Sequence, residues 1–360
     1  MSASVLFEPF QLGSLRLPNR VVMSPMSRYF SPGGVPAPAF ADYYRRRAEG
    51  QVGLVVTGAT GIERPMANND PNLALFHGDA LPVWQTVVDD VHRVGGRIAL
   101  QLWHSGALQN RDPDWKPAPV ESPSGINAPA QIVGEPMSES AIADTIAAFG
   151  RAAREAERTG FDAIELHAAH GFLIDQFFWD LTNRRGDRWG GASLGERTRF
   201  AVEVIRAVRA ALSGKTPIVM RVSQWKIQDV RAKLARSPEE MRAWLEPLAE
   251  AGLDALHCSQ RRFWEPEFEG SDLNFAGWAK KLTGKPTITV GSVGLDAELG
   301  ARAAQPAALD RLMHRMERGE FDLVAVGRAL LADPDWLVKL REGRHGDMLA
   351  FDAGALSALV

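Results

Sequence analysis

Short apolar, β-rich runs recur along the chain at residues 20–23, 52–57, 97–102, 163–166, 218–222, 255–258, 287–290 and 323–326. Each is nearly continuous in hydrophobicity, as expected of strands covered on both faces. The segments between them place apolar residues at a helical period, at 81–94, 142–159, 194–212, 238–251, 275–282 and 309–318. The helix at 238 carries a start signal, with Ser237 as N-cap, Pro238 in the first turn and Glu240 at the capping-box position. The helix ending at Thr159 meets Gly160, a residue suited to a left-handed C-terminal cap. Eight strands alternating with helices predict a single (β/α)8 TIM barrel rather than a doubly wound sheet. No linker or low-complexity tract interrupts the pattern, so residues 1–360 read as one domain.

Two insertions depart from a minimal barrel. Residues 105–140 are rich in proline and lack helical period; they include Asp112-Pro113, Lys116-Pro117-Ala118-Pro119 and Ser122-Pro123. A segment this long without its own period predicts a functional lid, and its place after the third strand puts it over the C-terminal mouth. Residues 261–272 follow the sixth strand, carry two aromatic-acidic pairs and belong at the same mouth. Residues 1–19 form a turn-rich entry segment, expected to close the opposite end, and 337–360 form a C-terminal tail.

Barrels place their chemistry at the C-terminal ends of the strands. The residues there are Ser24-Pro25-Met26-Ser27, Gly58-Ala59-Thr60, Trp103-His104, His167-Ala168-Ala169-His170, Ser223-Gln224-Trp225, Ser259-Gln260, Gly291-Ser292 and Gly327-Arg328. Inside the third and fifth runs, Gln101 and Arg221 interrupt otherwise apolar sequence. An unpaired charge there would be very costly, so Arg221 implies either a structural ion pair or a ligand with acceptor atoms. His167 and His170 admit three readings: satisfied core histidines, zinc ligands, or imidazole donors aimed at a substrate oxygen. Zinc lacks a third ligand at recognisable spacing, and no HExxH is present. Gly291-Ser292 and Gly327-Arg328 follow strands seven and eight, where such barrels commonly hold a phosphate. Glycine N–H groups and a forked guanidinium suit that dianion and favour a phosphorylated cofactor.

Composition narrows the classes. The chain is 45% apolar with a formal net charge of −3, which gives no sign of a nucleic-acid or membrane partner. Cys258 is the only cysteine, which excludes a disulfide framework or a four-cysteine cluster. The first residues lack a basic stretch followed by a long apolar one, so no signal peptide is expected. No run approaches about 18 apolar residues. A soluble cytoplasmic protein is expected, and a homo-oligomer is compatible with it. Neither GxGxxG followed by a suitably spaced acid nor GxxxxGK[ST] occurs, so a nicotinamide would not sit on a Rossmann domain.

Five stretches together resemble the Old Yellow Enzyme family: NRVVMSPMSRY (19–29), QLWHSG (101–106), HAAHGFLIDQFFWDLTNRRGDRWGG (167–191), MRVSQW (220–225) and VAVGRALLADPDW (324–336). The likeness runs in order over residues 7–336 and implies an NAD(P)H:flavin oxidoreductase, or ene-reductase, with non-covalent FMN in the same barrel. It implies that Ser24, Pro25, Met26 and Ser27 lie along the flavin, with Ser27 near its N5/O4 edge. Ala59 and Gln101 would meet the polar pyrimidine edge, and Arg221 would face N1/O2, where a cation stabilises the reduced flavin. Gly291, Ser292, Gly327 and Arg328 would hold the FMN phosphate. His167 and His170 would donate to a substrate oxygen, with Tyr29 and Trp103 as pocket walls.

One departure matters for the chemistry. Two residues after His170 the chain has Phe172, where the resemblance would place, in the substrate pocket, the tyrosine that in many members protonates the alkene carbon. The resemblance therefore implies hydride transfer from NAD(P)H through flavin to an activated alkene, quinone or nitro compound. The alternatives are a flavin dehydrogenase or isomerase, or a flavin-binding protein with reduced ene-reductase activity.

Overall fold

The computed structural model describes residues 3–108, 114–115, 118–297 and 300–360. Its centre is a closed ring of parallel strands: β1 (Val21–Met23), β2 (Leu54–Val56), β3 (Ile98–Trp103), β4 (Ala163–His170), β5 (Ile218–Lys226), β6 (Ala255–Ser259), β7 (Thr287–Val290) and β8 (Leu323–Val326). Each strand pairs with the next, and β8 returns to β1 with Val324 opposite Val21. The outer layer contains α1 (Ala39–Glu49), α2 (Leu81–Arg93), α3 (Glu139–Thr159), α4 (Leu173–Phe178), α5 (Arg199–Ala211), α6 (Pro238–Glu250), α7 (Phe275–Thr283), α8 (Asp310–Glu317), α9 (Arg328–Ala332) and α10 (Trp336–Arg341). This is the eight-stranded TIM barrel expected from the strand count.

The pleat sorts each strand's residues into two sets. Ile98, Leu100 and Leu102, like Ile164, Leu166 and Ala168, face outward into the large cluster shared with the helices. Ala99, Ala163, Val219, Ala255 and Ile288 face inward and form a separate apolar layer near the strand starts. Leu12 and Leu17 join that inner layer from an antiparallel hairpin, Phe10–Leu12 with Leu15–Leu17. Two residues further along β3 to β6 the inward positions turn polar: Gln101, Glu165, Arg221 and His257. A layer above those, His167, Ser223 and Ser259 reach the mouth.

Several boundaries differ from the sequence reading. Strands β3, β4 and β5 run on through Trp103, His170 and Lys226, so both histidines are strand residues rather than loop residues. Helix α3 starts at Glu139, because Ser138 accepts the Ala141 N–H and caps it. Helix α5 starts at Arg199, after a 3-10 turn at Glu196–Thr198. Helices α1, α4, α9 and α10 were not anticipated. In α6, Ser237 caps as expected, but Glu240 reaches back to the Arg236 N–H at 2.6 Å. Gly160 adopts the expected left-handed cap, at φ 96°.

Within the proline-rich segment 105–140, Asp112-Pro113 and Lys116-Pro117 fall outside the described residues. The described part carries a small antiparallel ladder, Ile126–Ala128 with Gln131–Ile132. Glu121 ties it to the barrel by pairing with Arg64 and meeting His104 Nε2 at 2.8 Å. In the C-terminal tail, Phe351–Asp352 pairs with Ala303–Ala304, and the Phe351 ring lies 5.5 Å from the Arg328 guanidinium.

Candidate active site at the barrel mouth

A cavity of about 570 Å³ opens at the C-terminal ends of the strands. That is within the usual range for a small-molecule or cofactor site. Ser24, Pro25, Met26, Ser27, Tyr29, Ala59, Gln101, His167, His170, Phe172, Arg221, Gly291, Ser292, Gly327 and Arg328 all line it. Of the residues given a role by the family resemblance, Trp103 alone does not; it borders an adjoining cavity that shares Ser27, Tyr29 and Phe172. Of the other strand-end residues, Gly58, Thr60, His104, Ala168, Ala169, Ser223 and Gln224 stay outside the cavity. The Phe172 ring lies edge-on between Trp103 and His167, with centroids at 5.1 and 4.8 Å. Asn127, Ala128 and Gln131 of the 126–132 ladder edge that second cavity.

The two histidines are held differently. The Ala169 N–H donates to His167 Nδ1 at 3.4 Å, a weak bond that favours a proton on Nε2. His170 Nε2 already meets Ser259 Oγ at 2.8 Å, and the Trp225 ring covers the His170 imidazole at 4.4 Å. His170 sits at φ 65° and Gly171 at φ 84°, two successive left-handed residues that end β4. Gly171 suits its left-handed φ, and a Cβ there would also displace the end of the Gln228 side chain.

A buried ion pair fixes this turn. Lys226 Nζ lies 2.8 Å from Asp175 Oδ1, both side chains fully buried, and Asp175 Oδ2 accepts the Gly171 N–H at 2.6 Å. The Ser223 hydroxyl accepts the His170 N–H at 2.8 Å and donates to the Trp225 carbonyl at 2.7 Å. Sequence reading missed Asp175, Lys226, Glu165 and His257. Glu165 and His257 carry the signal that singled out Gln101 and Arg221, a polar residue inside an apolar run; Lys226 lies four residues past the run read at 218–222 and gives no such signal.

Burial, with the nearby Arg221 charge, pushes both His167 and His170 well below the ordinary histidine range, so both are neutral at pH 7. In the unfolded chain each takes up a proton near pH 6.5, and in the folded chain only well below it. Unfolding therefore binds protons as the pH falls, and stability present above about 6.5 is lost below it, by up to about 1.4 kcal/mol per histidine per pH unit. The expected result is a lower thermal midpoint at pH 5.5 than at 7.5, with a shallower fall in His167→Gln. Equal slopes for wild type and variant would contradict the assignment.

At the other end of the cavity, Gly291 has φ 135° and Ser292 φ 51°. A Cβ on Gly291 would approach the Gln260 carbonyl oxygen to 2.6 Å, so glycine lets the loop after β6 pack against the end of β7. Arg328 lines the cavity while donating to the Ala297 carbonyl at 2.6 Å. On the floor, Arg221 Nε is buried without a hydrogen-bond partner among the described residues. At the cavity floor such a donor is suited to a ligand with acceptor atoms. Among the described residues, no three His, Cys, Asp or Glu side chains are grouped to hold a metal ion, and no helix is long and apolar enough to cross a membrane.

Residues 5–347 match the NADH:flavin oxidoreductase / NADH oxidase family. This chain belongs to that family, the family of the Old Yellow Enzymes. It is 32% identical over 353 residues to a chanoclavine-I aldehyde reductase from Penicillium roqueforti, with 94% of this chain and 89% of that protein covered. It is 30% identical over 354 residues to a metal reductase from Desulforamulus reducens, covering 94% of this chain but only 49% of that longer protein. Among solved structures it resembles morphinone reductase in complex with tetrahydroNAD, at TM-score 0.82 and 28% identity over 98% of this chain and 93% of that one. The family's chemistry is flavin-dependent oxidoreduction with non-covalent FMN and NAD(P)H as reductant. Arg221, the paired glycine turns and Arg328 fit an FMN: an acceptor-rich ring at one end and a phosphate at the other.

Proposed function

We propose that the cavity binds FMN with its ring over Gln101 and Arg221 and its phosphate at Arg328, and that the protein reduces activated alkenes, quinones or nitro compounds with NAD(P)H. The observation that carries this reading is the convergence of these three residues with His167 in one 570 Å³ cavity. When bound, FMN would supply the redox chemistry, relaying hydride between nicotinamide and acceptor.

The chain's own residues bind and orient. Ser24 to Ser27 and Ala59 border the ring, with the Ser27 hydroxyl as a donor towards N5/O4. Arg328 and the backbone N–H groups at Gly291, Ser292 and Gly327 hold the phosphate. His167 presents Nε2–H to the acceptor's oxygen, and His170, backed by Ser259, assists it. Tyr29 and Trp103 shape the walls, and the 126–132 ladder, which edges the adjoining cavity, acts as a lid. Nicotinamide and acceptor use this one cavity in turn. A cytoplasmic location, where NAD(P)H is available, suits this chemistry.

Arg328→Ala removes charge-assisted bonds worth roughly 1.5–3 kcal/mol each, weakening FMN binding by roughly 10- to 100-fold. The variant should purify largely without flavin and regain it only at high FMN concentration. Full occupancy after gel filtration would move the phosphate elsewhere.

A further inference from the structure

Beneath the cavity floor lies a buried polar layer that the functional reading above uses only in part. Gln101, Glu165, Arg221 and His257 stand on four consecutive strands, β3 to β6, each two residues beyond an inward-facing apolar residue. Gln101 and Arg221 reach the cavity, whereas Glu165 and His257 do not. Gln101 Nε2 donates to Glu165 Oε1 at 2.8 Å, and His257 Nδ1 lies 2.7 Å from Glu165 Oε2. Glu165 is 1% exposed and His257 fully buried.

These contacts set the state of each group. Burial pushes the Glu165 carboxyl up, but His257, Arg221 and Gln101 outweigh it and hold the group below the usual carboxylate range. Burial holds His257 below its ordinary value, so it is neutral, with its proton on Nδ1 and donated to Glu165. Because Gln101 gives one N–H to Glu165, its carbonyl and second N–H are left for the cavity. Glu165 is also the acid that favours the charged form of Arg221 against burial.

We infer that Glu165 is a positioning residue for the cofactor: it fixes the amide orientation of Gln101 and tempers the charge of Arg221, so the pair sets the flavin's reduction potential. This rests on the proposed placement of FMN against Gln101 and Arg221. A purely structural Glu165 would also satisfy the barrel interior, but it would not give a potential that follows the charge at this position. Positive charge at that edge favours the reduced cofactor, so removing the negative partner should raise the potential.

Glu165→Gln is close to isosteric and keeps a partner for Gln101, while His257 can move its proton to Nε2. In an anaerobic dye-linked titration of the FMN-loaded protein, the ratio of reduced to oxidised flavin at fixed potential should rise at least tenfold, or about 30 mV for a two-electron couple. Glu165→Asp keeps the charge and should stay within about threefold of wild type on the same scale. No shift in Glu165→Gln, a downward shift, or equal shifts in both variants would overturn the inference. If Glu165→Gln does not fold or hold FMN, Glu165→Asn is read against Glu165→Asp, two side chains of one size without and with the charge. A ratio at least tenfold higher in Glu165→Asn would support the inference, and equal values would overturn it. Absence of FMN from wild type would strike the reading of the cavity itself, not the role of Glu165.

Discussion

His167→Ala is expected to slow reduction of an enone by about 10²–10³, the usual cost of losing one preorganised donor to a developing oxyanion. His170→Ala should cost less. The difference follows from what each ring already touches. His167 has Nδ1 opposite a backbone N–H, which favours Nε2–H as a donor to the cavity. His170 has Nε2 committed to Ser259 and its face covered by Trp225. Both rings are kept neutral by burial, so they polarise by hydrogen bonding and not by charge. Single-turnover rates, with flavin pre-reduced and the enone then mixed in, isolate this step. Both variants should retain FMN and be reducible by NAD(P)H. Equal losses would contradict the asymmetry, and loss of flavin would show that the histidines hold the cofactor.

Phe172→Tyr is expected to raise enone turnover, by up to about 10² at the low end of what a positioned general acid supplies. Hydride delivery to the β-carbon needs only a polarised carbonyl, but the α-carbon must also receive a proton. The phenyl ring of Phe172 has none to give, and it lies 4.8 Å from His167 in the cavity wall. On the proposed reading, solvent would supply the proton in wild type. Quinones take their protons on oxygen from water, so they should turn over better than simple enones and gain little from the variant. The edge contact with Trp103 leaves the ring's position defined, which makes a phenol at 172 a test of chemistry rather than of packing. Steady-state rates for one enone and one quinone, in wild type and variant, separate the two steps. A variant that gains nothing on any enone, under conditions where proton uptake limits the rate, places Phe172 away from the acceptor's α-carbon.

The barrel was legible because its strands are covered on both faces and stand out as apolar runs. The strand ends were not, for a related reason. Past Leu166 the sequence turns to His-Ala-Ala-His, and past Val222 to Ser-Gln-Trp-Lys, which read as loop. In the fold the strands continue, with Val222 opposite Ala168 and, after a register shift, Lys226 opposite His170, so a bulge at 223–225 is what hides the strand end. Helix α1 was missed because its run of charged residues around Tyr43 and Tyr44 obscures the apolar face. That face is buried largely by aromatic contacts such as Phe40 with Tyr44 and Trp84. Within the site, Ser24 to Ser27, the two histidines and the two glycine pairs were found through their place at strand ends, Gln101 and Arg221 as polar breaks in apolar runs, and Tyr29 and Phe172 through the family resemblance. The groups behind them, Asp175 with Lys226 and Glu165 with His257, become visible only when partners far apart in sequence are brought together.

The most direct test of the whole account is an anaerobic titration of the purified protein with NADH and with NADPH, followed at the visible flavin band, with the cofactor then released by denaturation and identified. The account predicts one FMN per chain, freed without proteolysis, bleached by nicotinamide and restored by a quinone or enone. A colourless protein, or a bound flavin that neither nicotinamide reduces, would contradict it.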